Sequence, residues 1–474
     1  MKRIIYIGCL AVILAAAGCK KFLDIPLPVD QVAGSGAYSN DYAAAAVLNN
    51  ILGEITNSTS LTGNTGFPAK SGLYTDELQN ASTSADLIAV YTNAVQSGNT
   101  GTIWTYLYNE LYAINLAVEG VRGAAPTVLT KKNQWLGEAL FLRALMHFYL
   151  VNLFGEVPIA NTSDFKTNNT TKRSPAKDVY DQIIKDLKEA QDLLTTDYRN
   201  ADGNVTTERA RPNKNAAIAF LARVYLYTGD WANAEAQANL LISNTAAYQL
   251  VPPAQVFLAT SKEAIWALAP PTPANFVKDA AVYIITAGKT PAQSSINFNL
   301  SPALVNAFEP NDTRFTNWVG VSNVPASGTI PAANYYFANK YKVKANATTA
   351  TEYQMMFRLG EQYLIRAEAR TRQNNLTGAK TDVDAVRVRA GLAGITISTS
   401  DAMIDSIMKE RRVELFTESG NRFFDLRRTN KLDAVMTTTA PLKGGAWVAY
   451  KQWWPILTAD IFANPNLTQT PGYQ

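Results

Sequence analysis

Two stretches of this chain carry one pattern: an apolar helix, a three-residue polar turn, and a second apolar helix. The first covers residues 216–227, turns through Thr228-Gly229-Asp230 and returns over 231–242. The second covers 357–371, turns through Gln373-Asn374-Asn375 and returns over 377–389. In each, two alanines fall twelve positions apart, Ala222 with Ala234 and Ala367 with Ala379, so two antiparallel helices can approach closely at the same place in both pairs. A single pair cannot bury its own apolar face, so such pairs stack side by side into a continuous core. More helices are predicted around them. Residues 41–55 are rich in alanine and apolar residues. Over 104–121, Trp104, Leu107, Leu111, Ile114 and Val118 recur at spacings of three and four, which places them on one helical face. Residues 134–153 form a strongly apolar run that stops at Phe154-Gly155-Glu156-Val157-Pro158. Ser174-Pro175 opens another helix, with Ser174 as a plausible N-cap and Val179, Ile183, Leu187, Ala190 and Leu194 on its buried face.

The hairpins resemble the tetratricopeptide repeat, and the pairing of 134–153 with 176–194 reads as a third, degenerate unit. The predicted fold class is therefore mainly α: a tetratricopeptide-like helical-repeat scaffold with a loop-rich insertion carrying short strands. That insertion is 244–350, dense in Gly, Pro, Asn, Thr and Ser, with 263–268 and 281–285 as candidate strands. Residues 56–70 and the tail 435–474 also read as loop.

The N-terminus addresses the chain. Lys2 and Arg3 precede an apolar run over 4–17, then Gly18 and Cys19, the layout of a secretory signal. Ala16-Ala17-Gly18-Cys19 resembles a lipobox, in which the cysteine is acylated and becomes the new N-terminus. The run is shorter than the roughly 17–25 apolar residues a spanning helix needs, and several acyl chains anchor stably where one is marginal. We therefore expect a signal peptide over 1–18, lipidation at Cys19, a tether over 19–40 containing Pro26 and Pro28, and one domain over 41–474. Cys9 leaves with the signal and Cys19 carries the lipid, so the mature domain has no thiol for a disulfide and stability must come from packing.

Composition narrows the function. Loss of Lys2 and Arg3 takes the formal charge from +4 to +2, unlike the basic stripe of a nucleic-acid binder. The only histidine, His147, lies in an apolar helical run and reads as a packed residue. Zinc sites need several His or Cys ligands, and nucleotide-binding loops of the GxxxxGK[ST] or GxGxxG type are absent. No metal, cofactor or catalytic residue is expected. Aromatic residues are abundant, with 8 Trp, 22 Tyr and 18 Phe, which suits binding better than catalysis.

Four segments together resemble the SusD/RagB family of outer-membrane nutrient-binding lipoproteins. They are Cys19 with Phe22-Leu23-Asp24; Glu138-Ala139-Leu140-Phe141-Leu142-Arg143-Ala144 running to Pro158; Ile407 to Leu415 with Gly420 and Arg422-Phe423-Phe424-Asp425-Leu426-Arg427-Arg428; and the tail Asn464 to Tyr473. The resemblance spans the mature chain in order. It implies a non-catalytic lipoprotein, membrane-bound through its lipid at the cell exterior, that caps a TonB-dependent outer-membrane transporter of the SusC type and hands it a nutrient, usually an oligosaccharide.

Glu410, Arg411, Glu414, Arg422, Asp425, Arg427 and Arg428 mix opposite charges beside phenylalanines, which predicts an ion-pair network; the competing reading is a pocket for an anionic ligand. Sugar rings need flat aromatics for their apolar faces and amides or carboxylates for their hydroxyls. Trp318, Phe276, Tyr283, Tyr335 and Tyr336 in the insertion, with Asp76, Glu77 and Asn80 beside the early loop, are the candidate ligand residues. Trp104 and Trp231 read as packing, and at least one of Trp453 and Trp454 as buried. Two other functions compete: a secreted glycoside hydrolase, for which Asp76-Glu77 offers an acid without a convincing partner, and a helical-repeat scaffold that binds only protein.

Overall fold

The structure, a computed structural model, describes residues 36–63, 66–270, 272, 274–327, 332–396 and 399–474. The expected signal over 1–18, Cys19 and most of the expected 19–40 tether lie outside the described residues. Helix α1 (Asp41–Asn57) is capped by the Asn40 side chain, which accepts from the Ala43 amide at 2.9 Å. The predicted loop over 56–70 is shorter than expected, because α2 (Phe67–Tyr74) begins inside it with Pro68 in the first turn. Strand β1 (Leu78–Asn80) and α3 (Ala85–Tyr91) lead to α4 (Ser97–Gly123), which buries the predicted face. Helix α5 (Lys132–Phe154) follows, ended by Gly155 at φ 77°, where a Cβ would also crowd the Trp453 ring at 3.1 Å. By length and composition α5 is apolar enough to cross a membrane, yet its apolar stretch is entirely buried in the fold. Its charges are matched: Arg143 forks onto Asp186 at 2.8 and 2.7 Å, and Glu138 pairs with Arg211.

The short α6 (Phe165–Asn168) precedes α7 (Ala176–Leu193), whose predicted face is buried. Ser174 does not cap it. Pro175 takes the cap position without a side-chain bond, while the Ser174 amide bridges back to the Val157 carbonyl at 3.0 Å. After the β2–β3 pair (Tyr198–Arg199 with Val205–Thr206) comes the first hairpin, α8 (Lys214–Thr228) and α9 (Trp231–Ile242). Gly229 makes its left-handed turn at φ 76°, and Asp230 caps α9.

The insertion carries short antiparallel pairings. β4 (Ala264–Leu268) is a strand, as predicted, and is fully buried, but residues 281–285 do not form a strand: α10 (Lys278–Tyr283) is helical there. A short apolar run does not separate the two states by periodicity, and here Asp279 in the first turn and consecutive alanines favour helix. β5 (Phe298–Leu300) pairs with β1, so the insertion returns to the early chain. Beyond α11 (Pro302–Val305) and α12 (Thr313–Trp318), β6 (Val319–Val324) pairs with β7 (Ala333–Ala338). β8 (Gln354–Arg358) pairs with β4 and takes Phe357 opposite Trp266. The second hairpin therefore starts two residues late, as α13 (Leu359–Arg372) and α14 (Leu376–Arg389), turning through Asn374 at φ 61°.

The four predicted alanines are all fully buried. α9 packs on α13, so the two hairpins stack although the insertion separates them in sequence. Arg223 to Glu361 (2.7 Å) and Arg370 to Glu235 (2.8 Å) tie one hairpin to the other. The α4–α5 and α5–α7 contacts extend the layer towards the N-terminus, and α5 with α7 behaves as the expected third pair. α15 (Ser400–Leu415) and α16 (Asn421–Arg428) close the other end. The tail is less irregular than predicted, with α17 (Leu432–Leu442) and α18 (Thr458–Ala463).

The charged signature forms the predicted ion-pair network. Glu414 accepts from Arg358 at 2.5 Å, Arg314 at 2.9 Å and Arg389; Glu410 accepts from Arg314 at 2.6 Å. Arg411 meets Asp425 at 2.7 Å, and Arg428 joins Asp425 to Glu368. Arg427 differs: it donates to the Asn152 and Gln452 carbonyls and stacks 3.9 Å from the Trp453 ring centre. Replacing one member of a buried ion network strands its partners, a loss of about 3–5 kcal/mol. Glu414→Gln should lower unfolding free energy by that amount in urea titrations.

His147 is fully buried, as expected of a packed residue. Nδ1 lies 3.1 Å from the Arg143 carbonyl and Nε2 accepts the Ala160 amide at 3.3 Å, so the neutral ring fits both contacts. Burial, then the Arg143 charge, pushes its pKa down to about 3. The unfolded chain takes up this proton below its ordinary value of about 6.5 while the native state does not. The contribution is therefore full above that value and declines towards pH 3. His147→Gln should remove a slope of about 1.4 kcal/mol per pH unit from this window, read as the difference between variant and parent unfolding curves.

Candidate functional site

The structure redistributes the predicted ligand residues. Trp318 is a core residue, 1 % exposed, and does not present a face to solvent. Its indole N–H donates to the Pro253 carbonyl at 2.8 Å, and Lys340, Arg358 and Arg389 surround its ring within 5.1–5.8 Å. Its polar sequence neighbours suggested a loop, but Asp312, Arg314 and Asn317 form caps and ion pairs. Asp76 is buried and consumed structurally: Arg422 grips it bidentately at 2.8 Å and Arg412 adds a bond at 2.7 Å. Its pKa is lowered: the two guanidiniums outweigh burial, which taken singly is the largest effect and acts upward. Glu77 is buried beside it, and burial raises its carboxyl to about 7. Neither supplies an exposed group for a sugar hydroxyl.

Asn80, Tyr283, Tyr335 and Tyr336 gather around β5. Asn80 lies opposite Phe298 and closes a local turn on Ser82, and Tyr283 is buried 6.3 Å from Phe298. Tyr335 and Tyr336 are half-buried neighbours on β7, which packs on β5. Their alternation sends Tyr335 towards Ile285, Ile296 and Phe337, and Tyr336 towards Phe315. Phe276 is half-buried over a small cavity beside Thr62 and Leu268. These residues form packed structure around the insertion and do not converge on an open cavity.

An open groove of about 330 Å³ lies between α4, the 158–171 segment and the tail. On α4, Trp104, Tyr108 and Tyr112 fall at i, i+4 and i+8, one stripe of a helix. Trp104 is buried, as its packing assignment required, yet it also lines the groove; its ring sits 4.7 Å from that of Tyr108. Further along the stripe Tyr112 is 51 % exposed, and Phe165 on α6 is 63 % exposed. The Tyr108 hydroxyl donates to the Pro158 carbonyl at 2.9 Å, and burial holds its pKa well above the usual phenol range.

The tail closes the groove. Trp104 Nε1 donates to Asp460 Oδ2 at 2.6 Å, and Thr100 donates to the Pro455 carbonyl at 2.9 Å. Asn464 and Asn466 donate to the Thr171 and Thr170 carbonyls at 2.9 and 2.7 Å, stitching the tail to the opposite wall. The Asn464–Tyr473 segment singled out in the sequence thus builds a groove wall. The side chains of Asn109, Tyr112 and Asn169 line the groove without a hydrogen-bond partner among the described residues. Flat rings beside unpaired amides are what a sugar face and its hydroxyls require. The aromatic spacing on 104–121 was visible in the sequence; the exposure of its Tyr112 end was not. No cluster of three or more His, Cys, Asp or Glu suited to a metal occurs among the described residues.

Comparisons with known proteins agree with this architecture. A model described as the SusD family matches residues 161–473, and one described as starch-binding, associating with outer membrane, matches 33–226. SusD-like protein P38 of Formosa agariphila is 25 % identical over 433 residues, covering 78 % of this chain and 79 % of that protein. A SusD superfamily protein of Bacteroides vulgatus superposes with a TM-score of 0.76 at 20 % identity, covering 92 % of this chain and all of the other. A laminarin-binding SusD-like protein superposes at 0.72 with 22 % identity, again over 92 % of this chain and all of its own.

The assignments separate by mutation. Trp318→Ala removes a large buried ring and should cost about 3–5 kcal/mol of stability. Tyr112→Ala and Phe165→Ala should leave the thermal midpoint within about 2 °C, as partly exposed positions do. Equal destabilisation by all three in a thermal melt would refute the placement of the groove aromatics.

Proposed function

The chain belongs to the SusD family, and from that premise we propose that it captures an oligosaccharide at the cell surface and delivers it to a TonB-dependent outer-membrane transporter. Cys19 holds it at the outer membrane through its lipid, and residues 19–40 give it reach. The observation that carries this reading is the groove on α4, where exposed Tyr112 and Phe165 lie with unpaired Asn109 and Asn169. Aromatic rings cover the C–H faces of a sugar, and amides both donate to and accept from its hydroxyls. The matched family description names starch binding and the outer membrane, and one structural neighbour is named for laminarin binding; both support a glycan as the ligand.

Binding without catalysis fits the groove. A glycosidase places two carboxyl groups on either side of the bond, about 5–9.5 Å apart. Asp460 is the one carboxylate among the groove-lining residues, and one of its oxygens accepts from Trp104. Asp76 and Glu77, the alternative acids, are packed among Arg412 and Arg422. No glycan cleavage should accompany binding, which reducing-end assays on the bound glycan would check.

Two measurements test the proposal. In cells, Cys19→Ala should move the chain out of the outer-membrane fraction and abolish uptake of the bound glycan, while binding by the purified full chain stays unchanged. In calorimetric titrations of the full chain in detergent, Tyr112→Ala and Phe165→Ala should each weaken glycan binding by about tenfold, the scale of one lost stacking contact of 1–1.5 kcal/mol. Retention of Cys19→Ala in the outer membrane, or a chain that binds the transporter but no glycan, would defeat the respective parts.

A further inference from the structure

We infer that the α4 groove accepts uncharged oligosaccharides and rejects acidic ones, those bearing uronate or sulfate groups; this rests on the groove being the ligand site. The argument begins with charge. Among the residues lining the groove, the single ionisable group of ordinary charge is Asp460, and it is negative. The groove therefore offers an acidic sugar a like charge and no lining cation. Moving a carboxylate or sulfate out of water requires a paired cation or several charge-assisted donors to offset desolvation.

Cations near the groove are engaged or peripheral. Arg173 is close enough for its charge to be felt at Tyr108. Its Nε donates to the Glu156 carbonyl at 2.8 Å and its Nη1 to the Gln469 carbonyl at 3.0 Å, so the guanidinium braces the tail. Lys166 and Lys172 are exposed on the surface and do not line the cavity.

Hydrogen-bonding polarity points the same way. Asn168 spends one of its two amide N–H groups on the Thr162 carbonyl at 2.8 Å and keeps its Oδ1 as an acceptor at the groove. Asp460 keeps Oδ1 as a second acceptor, since Trp104 occupies Oδ2. Tyr108 spends its O–H on Pro158. Such acceptors need donors from the ligand. Sugar hydroxyls donate as well as accept, whereas uronate and sulfate oxygens only accept. Asn109, Asn169 and the Tyr112 hydroxyl add neutral groups that work with either polarity of a hydroxyl. Neutral rings thus satisfy the groove, and each added anion leaves it with an unpaired charge.

The test is a glycan array probed with the full chain in detergent, carrying neutral, uronate-containing and sulfated oligosaccharides of matched length, followed by titration of each hit. The expected result is binding to neutral glycans, with any matched acidic glycan weaker by at least about tenfold, one order per 1.4 kcal/mol. Asp460→Asn keeps the acceptor for Trp104 and removes the charge, so it should narrow that gap. An acidic glycan that binds as tightly as its neutral counterpart, and loses affinity in Tyr112→Ala and Phe165→Ala, overturns the inference and leaves the glycan-binding function standing. Glycan binding indifferent to both substitutions overturns the groove and this inference with it. Binding of no glycan overturns the functional reading as well.

Discussion

Glu414 is the interaction on which this architecture depends. It sits fully buried on α15 and receives guanidinium groups from α12, β8 and α14. Three cations hold its carboxyl well below the usual carboxylate range despite burial. The site joins parts that sequence separates: Arg314 and Glu263 belong to the insertion, Arg358 to the strand entering the second hairpin, and Arg389 to that hairpin's end. Gly360 shows how closely these groups approach, since a Cβ there would stand 2.8 Å from Arg358 and 3.0 Å from Glu414. Separating the insertion from the scaffold would strand these buried charges, so the network opposes that displacement.

With the insertion clamped in this way, its aromatics become structural. Trp318 lies under Lys340, Arg358 and Arg389, where cation–π contact and burial reinforce the clamp. The tail plays the corresponding part at the opposite end of the chain order. Asn464, Asn466 and Asp460 tie it to the 170–171 carbonyls and to Trp104, and the space left between them is the groove. Scaffold, insertion and tail therefore divide the work: the helix pairs supply rigidity, the clamp orders the insertion, and the tail walls the groove on α4.

The scaffold was legible because helix pairing writes itself locally. The spacing of Trp104, Leu107, Leu111, Ile114 and Val118 identified one face of α4, and the paired alanines identified both hairpins, with each helix end displaced by only a few residues. The mixed charges after Ile407 announced an ion-pair network, but not its partners: Glu410 and Glu414 pair with Arg314, Arg358 and Arg389, and Arg428 with Glu368, all distant in sequence. The misreadings came from short segments. Residues 281–285 and 67–70 are too brief for periodicity to choose between helix, strand and loop; first-turn residues, Asp279 in one and Pro68 in the other, mark them as helix starts. Trp318 failed as a ligand residue because Asp312 and Arg314, polar in sequence, are buried partners of each other and of Glu410 and Glu414.

The sequence by itself determined the helical-repeat scaffold, through spacings within single helices and turns, and the family resemblance and mixed-charge signature, through short segments read in order along the chain. Only the tertiary structure decided which aromatics face outward. Tyr112 and Trp104 stand on the same stripe of α4, yet Trp104 is buried against Phe154 and bonded to Asp460 of the tail, whereas Tyr112 is exposed. Exposure depends on what a distant segment covers, and residues 356 positions apart meet only once the chain has folded.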